Sequence, residues 1–257
     1  MMTLTDDELL RYARQILLDD WDIDAQTCLK NSRILIIGLG GLGCFVAQTL
    51  VRAGVGSVHL VDYDMIDESN LQRQILFTKA DIGQSKAKTA YEQLCTQNEL
   101  ITITYQDIKL TYDNIMAVLA ACRADLVLDC TDNFMVRDLI NRTCVALSTP
   151  LLSASAIGQV GQLLFFNDFS KQGCYHCIFG DDTDDNAQNC TNSGVLASTV
   201  AVMASLQAQV ALSFLGKGKN PIANTLILWQ GETLTQRRTT FAKNPTCTVC
   251  KSITNTY

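Results

Sequence analysis

A short apolar run followed by four closely spaced glycines constrains the fold of this chain more than any other feature. The run is Ile34 to Ile37, and the stretch ILIIGLGGLG continues with Gly38, Gly40, Gly41 and Gly43. This pattern is typical of a buried strand that enters a tight turn and continues into a helix from about Leu42. Glycines let backbone N–H groups approach a phosphate, and a helix N-terminus carries partial positive charge. The stretch therefore predicts a phosphate-binding turn.

A second apolar stretch, SVHLVDYD, ends in an acidic residue about twenty residues beyond the turn. Asp62 stands where an acidic side chain typically binds a ribose hydroxyl. These features fit NAD and ATP equally well. A glycine turn needed only to pack the helix closely on the strand fits them too. The nucleotide must be identified from other residues.

The composition limits the class of protein. The chain has 257 residues, 47% of them hydrophobic, and a net charge of −6. This length suits one large α/β domain or two small ones, and the acidity argues against a nucleic-acid surface. The N-terminal stretch MMTLTDDELLRYARQILL is charged and has a helical pattern without the apolar core of a signal peptide. We expect a cytoplasmic protein.

One segment has the length and apolarity of a membrane span. No charged side chain occurs from Asn186 to Gly216, and Val195 to Leu215 is mostly apolar. Polar residues interrupt it, among them Ser205 and Gln207. A helix buried in the core or at a dimer interface is the preferred interpretation, and membrane contact is the alternative.

Strand and helix patterns alternate through the first 155 residues. The predicted strands are Arg33–Ile37, Ser57–Val61, Ile101–Tyr105, Asp125–Leu128 and Pro150–Ser153. This alternation predicts a Rossmann-like α/β fold, with a mostly parallel sheet and helices on both faces. Three further strands are predicted in QVGQLLFF, Thr225–Trp229 and Thr233–Arg238. We divide the chain into a nucleotide-binding part, 1–155, and a second part, 156–257, and expect Gly180 to Ser193 to be a mobile loop.

Two cations and a group of carboxylates favour a triphosphate. Arg73 and Lys86 lie in SNLQRQILFTKADIGQSKAK, which follows the second strand. Attack at the α-phosphate of ATP builds charge on the leaving pyrophosphate, which Arg, Lys or a divalent ion must neutralise. The fourth strand ends in LVLDCTDN and places Asp129, Asp132 and Asn133 at the ligand-binding edge of the sheet, where Mg²⁺ would bind. Taken one at a time, these charged residues are also typical of solvated surface groups, and Asp132 is also placed to cap the helix that follows. Their joint placement favours ATP and Mg²⁺.

Two of the cysteine pairs have the spacing of a metal site. The chain has 11 cysteines, and the pairs are Cys174 with Cys177 and Cys247 with Cys250. Two such pairs complete a closed tetrahedral Zn²⁺ site with a structural role. A redox pair or chance spacing is the alternative. His176, inside the first pair, is expected to be a spectator.

A further cysteine, Cys190, lies in the polar stretch DNAQNCTNSGV just before the apolar helix. The N-terminus of a helix there would lower the pKa of its thiol and raise its thiolate content. A bystander thiol is the alternative. The pattern marks Cys190 as a candidate catalytic residue.

Several motifs together resemble one family. RYARQILL, GLGGLG, SNLQRQ, the lysine at position 86, DCTDN, CYHC and CTVC occur in this order from about residue 5 to residue 251. The chain resembles the ThiF/MoeB/HesA adenylyltransferases, bacterial relatives of the ubiquitin-activating enzymes, and looks closer to ThiF. The resemblance implies a reaction in which the C-terminal glycine carboxylate of a small ubiquitin-like sulfur carrier attacks the α-phosphate of ATP. The products are an acyl-adenylate, which is activated for sulfur transfer, and pyrophosphate.

The resemblance also implies roles for single residues. Gly41 would lie against the phosphates and Asp62 would bind the ribose. The nucleotide-binding residues matched in SNLQR are Ser69, Asn70, Leu71, Gln72 and Arg73. Arg73 and Lys86, with Asn70, would neutralise the triphosphate, and Asp132 would position Mg²⁺ with Asn133 beside it. Arg14 would reach into the site of a partner subunit, which makes a homodimer part of the catalytic unit.

The resemblance leaves the pathway open. RQILLDD, LQRQILF and TPLLSASAIG look closer to the thiamine branch, whose ThiS-like carrier ends in Gly-Gly and receives sulfur from a donor protein. In that branch a cysteine matching Cys190 becomes linked to the carrier through a persulfide. A MoaD-like carrier of molybdenum cofactor biosynthesis is the alternative. An NAD-dependent oxidoreductase leaves Arg73, Lys86 and the cysteine pairs unused, and a non-catalytic scaffold relative remains a further reading.

Overall fold

A single sheet of eight strands organises the chain in the computed structural model, which describes residues 3–180 and 194–253. The strands are β1 (Arg33–Ile37), β2 (Ser57–Asp62), β3 (Thr102–Asp107), β4 (Leu126–Asp129), β5 (Leu151–Ile157), β6 (Val160–Phe166), β7 (Thr225–Gln230) and β8 (Thr235–Thr240). Their spatial order is β3-β2-β1-β4-β5-β6-β7-β8. The first five are parallel, and β6, β7 and β8 add on antiparallel. The predicted mostly parallel α/β sheet with C-terminal strands is confirmed.

Helices cover both faces of the sheet. They are α1 (Asp6–Arg11), α2 (Ala13–Ile16), α3 (Ile23–Lys30), α4 (Gly41–Ala53), α5 (Lys86–Gln97), α6 (Ile115–Cys122), α7 (Phe134–Leu147), α8 (Tyr175–Phe179) and α9 (Ala197–Lys217). On β1, Ile34 and Ile36 belong to one buried cluster while Leu35 and Ile37 belong to a second. Because successive strand side chains point to opposite faces, β1 is buried on both sides, as a central parallel strand requires.

The long apolar helix α9 packs inside the fold. By length and composition it could cross a membrane, but 56% of its most apolar window is buried within the chain. Val200, Met203 and Ala208 lie in the same buried cluster as Ile34 and Ile36 of β1. Burial against the sheet therefore accounts for its apolar composition, as the preferred interpretation of the sequence held.

Some strand boundaries differ from the prediction. The fifth strand was expected to stop at Ser153 and instead continues to Ile157. The extension pairs with β6, up to the pair formed by Ile157 and Val160. Pairing between strands stabilises this extension, and periodicity within one strand does not reveal it. The expected division at residue 155 falls inside β5.

The last predicted strand is also shifted, because β8 begins at Thr235 rather than at Thr233. Gln230 pairs with Thr235, so the residues between them form the turn of a hairpin, and Leu234 has a positive φ of 53°. Residues 181–193, which make up most of the expected mobile loop and include Cys190, lie outside the described part of the chain.

Candidate functional site

The glycine turn joins β1 to α4 at the carboxyl edge of the parallel strands. Gly38 has a φ of +89°, and a Cβ there would lie 3.0 Å from the carbonyl oxygen of Cys130. A Cβ at Gly43 would lie 1.9 Å from the carbonyl oxygen of Gly38. These two glycines are therefore required by the turn and by its packing on the chain after β4. A Cβ at Gly41 would lie 3.3 Å from Cγ of Arg73, so the arginine stem passes close to the turn.

A cavity of about 970 Å³ opens above this turn. The predicted site residues that line it are Gly38, Gly40, Gly41, Asp62, Ser69, Asn70, Gln72, Arg73, Lys86, Asp132 and Asn133. Gly43 instead packs inside the start of α4, and Leu71 packs against the apolar core. Arg14 is exposed on α2, away from the lining of this cavity. Residues from five separate stretches of the sequence thus meet at one edge of the sheet.

Asp62, at the end of β2, is tied to the glycine turn. Its Oδ2 accepts a hydrogen bond from the N–H of Leu39, and its Oδ1 accepts one from the N–H of Asp64 at 2.8 Å. Burial raises the pKa of this carboxyl group above its usual value. Each carboxylate oxygen has a second lone pair, so Asp62 can still accept a hydrogen bond from a ligand hydroxyl. The sequence did not predict this structural role in holding the turn.

Lys86 is the first residue of α5, and its ammonium group is held at the cavity. Nζ of Lys86 lies 2.9 Å from Oδ2 of Asp64, and the lysine side chain is only 7% exposed while that of Asp64 is 48% exposed. The two side chains therefore form an ion pair at the border of the cavity. Asp64 was missed in the sequence, where the only signal is the second acid in DYD after β2.

The segment from Ser69 to Arg73 forms a short helical turn at the other side of the cavity. Asp67 caps this turn, because its Oδ1 accepts hydrogen bonds from the N–H and the hydroxyl of Ser69. The Nη1 of Arg73 donates to the carbonyl oxygen of Ser69 at 3.0 Å. The arginine is therefore oriented by its own turn, beside Gly41.

Two neighbouring polar residues of the loop after β4, Asp132 and Asn133, have different roles. Asn133 caps α7, because its Oδ1 accepts from the N–H of Val136 at 3.1 Å. The expectation that Asp132 fits the cap of this helix is wrong, since Asn133 takes that position. Asp132 is exposed and lines the cavity.

Asp129 does not join Asp132 as a candidate metal ligand. It is fully buried, and its Oδ2 lies 2.9 Å from Nε of Arg137 and accepts from the hydroxyl of Ser153 at 2.6 Å. Its Oδ1 accepts from the N–H of Thr131 at 3.0 Å. The sequence placed Asp129 correctly at the sheet edge, but the side chain points into the protein.

The four cysteines of the two pairs meet in one cluster. Their sulfur atoms, from Cys174, Cys177, Cys247 and Cys250, all lie within 4.8 Å of one another. Two of the separations are 3.8 Å and 3.4 Å. A tetrahedral Zn²⁺ with Zn–S bonds of about 2.3 Å requires sulfur separations of about 3.8 Å. The hydrogen bond from the Cys174 thiol lowers the pKa of Cys177 to about 4, so one thiolate is already favoured. This donor set can hold zinc.

His176 connects the two cysteine pairs without joining the cluster. Its ring is buried, with Nε2 3.1 Å from the hydroxyl oxygen of Thr248 and Nδ1 3.5 Å from a carboxylate oxygen of Asp138. Asn141, also on α7, accepts a hydrogen bond from the N–H of Tyr175 at 3.0 Å. These contacts dock the cluster on α7, the helix that begins beside Asp132.

Known proteins match this chain along most of its length. It matches the ThiF family over residues 12–249. It is 41% identical to the molybdopterin-synthase adenylyltransferase of Escherichia coli K12 over 97% of this chain and 99% of that protein. It is 43% identical to the sulfur carrier protein ThiS adenylyltransferase of the same organism over 96% of this chain and 97% of that protein.

Solved structures share the fold. The crystal structure of E. coli MccB with ATP superposes with a TM-score of 0.77 at 24% identity, over 89% of this chain and 68% of that chain. At this identity the likeness concerns the fold alone. The family match and the two full-length relatives, each named an adenylyltransferase, agree with this shared fold: the chain belongs to the ThiF family.

Proposed function

We propose that the protein uses ATP to adenylate the C-terminal glycine carboxylate of a small ubiquitin-like sulfur carrier that ends in Gly-Gly. The observation that carries this proposal is the placement of Arg73, Lys86 and Asp132 around one cavity above the glycine turn. Two cations and an exposed carboxylate suit a triphosphate better than the diphosphate of NAD. The full-length adenylyltransferase relatives support the same reaction.

The reaction joins the carrier to AMP. One carboxylate oxygen of the carrier forms a bond to the α-phosphorus of ATP, and the bond from that phosphorus to the pyrophosphate oxygen breaks. A glycine carboxylate is already ionised at pH 7, so no side chain has to remove a proton first. Neither of the two histidines is placed at the cavity as a base: Nδ1 of His59 lies 2.7 Å from the hydroxyl oxygen of Thr104, and His176 lies at the cysteine cluster. Positioning and charge neutralisation can provide most of the rate.

The chain divides this work among its elements. The backbone N–H groups at Gly40 and Gly41, with the N-terminus of α4, would bind phosphate oxygens. Arg73 and Lys86 would neutralise the charge that develops on the leaving pyrophosphate. Asp62 would accept a hydrogen bond from the ribose while it continues to hold the turn.

The proposal includes two metal ions. Asp132 offers exposed carboxylate oxygens at the cavity, the ligand type that Mg²⁺ prefers, and would hold this ion. When bound, Mg²⁺ would neutralise phosphate charge and orient the triphosphate. The cysteine cluster would hold Zn²⁺ in a closed structural site, which ties the C-terminal pair to α8 and takes no part in the chemistry.

Further parts of the proposal concern partners. As the resemblance implies, we assign Arg14 to the site of a second copy in a homodimer; in its own chain Arg14 is exposed and does not line the cavity. Cys190 stays a candidate for the sulfur-transfer step, which needs a sulfur donor protein. We place the activity in the cytoplasm and expect no nucleic acid as partner. We also expect no membrane as partner, because α9, which among the described residues is the helix apolar enough to span a bilayer, packs in the core.

The identity of the carrier is the most specific part of the proposal. We favour a ThiS-like carrier of thiamine biosynthesis, and the identity to the ThiS enzyme is 43%. The 41% identity to the molybdopterin-synthase enzyme favours a MoaD-like carrier as the second candidate.

The test is ATP–pyrophosphate exchange by the purified protein, run in parallel with a ThiS-like and a MoaD-like carrier. Exchange with the ThiS-like carrier alone supports the first assignment. Exchange with the MoaD-like carrier alone moves the protein to the second pathway. Exchange with neither rejects carrier adenylation and leaves the scaffold relative.

A further inference from the structure

The loop between β4 and α7, residues 130–133, carries Asp132 and is held in place by buried polar groups. The central pair is Asp129, at the end of β4, and Arg137, in the first turn of α7. Nε of Arg137 lies 2.9 Å from Oδ2 of Asp129, and their side chains are 7% and 0% exposed. Burial of an ion pair costs desolvation energy and by itself gives little stability. A role beyond stability is therefore expected of this pair.

The pair fixes the residue before Asp132 at both of its backbone groups. The N–H of Thr131 donates to Oδ1 of Asp129 at 3.0 Å, and its hydroxyl donates to the same oxygen at 2.6 Å. The carbonyl oxygen of Thr131 accepts from Nη2 of Arg137. The same Nη2 reaches the carbonyl oxygen of Ala154 on β5 at 3.2 Å. The peptide that leads into Asp132 is thus tied to two strands and one helix.

A fourth element, the helix α9, holds the loop from the opposite face of the sheet. Gln207 of α9 is fully buried. Its Nε2 donates to the carbonyl oxygens of Asp129 and Leu152 at 3.2 Å and 3.1 Å. Its Oε1 accepts from the thiol of Cys130 at 3.4 Å. The residues before Thr131 therefore have little freedom to move.

We infer that Arg137 is a positioning residue that acts through Thr131 to place the carboxylate of Asp132. This inference rests on the proposed function. A planar guanidinium forms an ion pair with Asp129 and donates to the carbonyl oxygens of Thr131 and Ala154 in a fixed geometry, whereas the ammonium group of lysine is a point charge on a flexible stem. Arg137→Lys keeps the charge beside Asp129 and loses the fork that holds the Thr131 carbonyl group.

Two quantities are expected to change in Arg137→Lys. Loss of a group that orients a metal ligand typically weakens metal binding about 10-fold to 100-fold, so nucleotide binding needs a correspondingly higher Mg²⁺ concentration. A displacement of about 1 Å at the reacting groups lowers kcat by about 100-fold. The KM for ATP at saturating Mg²⁺ changes little, because Arg73 and Lys86 keep their places.

The experiment compares the full-length wild-type protein with Arg137→Lys and a matched control. The control is Arg142→Lys on the same helix, where Nε of Arg142 lies 2.6 Å from Asp138 in a partly exposed pair. The Mg²⁺ dependence of ATP binding is measured without carrier, and kcat and KM are measured by carrier-dependent pyrophosphate exchange. Thermal unfolding is recorded for each protein. A shift in Mg²⁺ dependence for Arg137→Lys, with a near wild-type control, is the expected result.

The inference is overturned if folded Arg137→Lys binds ATP with the wild-type Mg²⁺ dependence. If this variant fails to fold, Thr131→Val serves instead, because it removes only the hydroxyl bond to Asp129 and should give a smaller shift of the same sign. A wild-type Mg²⁺ dependence of Thr131→Val also overturns the inference. A wild-type protein that binds ATP but exchanges with neither carrier rejects the proposed function, while the Mg²⁺ measurement still decides the role of Arg137.

Discussion

Nζ of Lys86 lies 2.9 Å from Oδ2 of Asp64, at the border of the cavity above the glycine turn. The two residues stand on different elements, Lys86 at the start of α5 and Asp64 just after β2. Asp64 forms an ion pair with a buried ammonium group at the cavity. A cation held in this way is ready to neutralise phosphate without reorganisation.

Lys86→Met is expected to lower carrier-dependent pyrophosphate exchange by about 100-fold to 1,000-fold, because one preorganised charge at the leaving group is lost. The matched control is Lys88→Met on the same helix, where Lys88 is exposed and 3.8 Å from Glu92. Control activity should stay near that of the wild type. Equal rates for both variants would show that Lys86 has no role in the reaction.

Asp132→Asn and Arg73→Ala are expected to suppress adenylate formation while the fold stays intact. Asp132 is exposed and Arg73 is only partly buried, so neither change disturbs the core. Exchange rates and far-UV circular dichroism are measured for each soluble variant. Near-normal exchange in either one would contradict its assigned role.

Zinc removal is expected to destabilise the C-terminal part of the chain. Purified protein should contain about one zinc per chain, and Cys250→Ser should lose the metal and unfold at a lower temperature, since Cys250 is fully buried in the cluster. The control is Cys95→Ser, because Cys95 is exposed on α5. Metal analysis without zinc in the wild type would reject the site.

The stability of the protein should fall at acid pH partly through His59. Burial lowers the pKa of His59 below its ordinary value of 6.5. The imidazole of the unfolded chain therefore binds a proton at a higher pH than the imidazole of the folded protein. As the pH falls below about 6.5, proton binding favours the unfolded chain and the folded protein loses stability. Urea unfolding of the wild type and of His59→Gln at pH 7.5 and pH 5.5 tests this. The wild type should lose more stability between the two values, and an equal loss would argue against the shifted pKa.

Gln207→Leu is expected to lower the free energy of unfolding by about 2 to 4 kcal/mol, because the buried carbonyl groups of Asp129 and Leu152 lose a hydrogen-bond donor. Gln209→Leu is the matched control, since Gln209 is exposed on the same helix. Urea unfolding measures both. A similar, small effect of the two substitutions would show that the Gln207 bonds contribute little.

The sequence by itself determined the features that are encoded locally. The glycine turn, the alternating apolar segments of the parallel sheet and the two cysteine pairs each depend on residues a few positions apart. Turn geometry, strand burial and chelation by a Cys-x-x-Cys turn act over that range. The position of Asp132 at the ligand-binding edge of the sheet followed from the rule that parallel strands present their carboxyl ends together.

Only the tertiary structure decided which way individual side chains point. Asp129 and Asp132 are three residues apart and of the same residue type, yet one is buried against Arg137 and the other faces the cavity. Gln207 interrupted an apolar helix in the sequence, and its hydrogen bonds to β4 and β5 explain why. These outcomes depend on charges and carbonyl groups that lie far away along the chain. Long-range pairing of buried polar groups, which no local pattern records, therefore decides the geometry of the site.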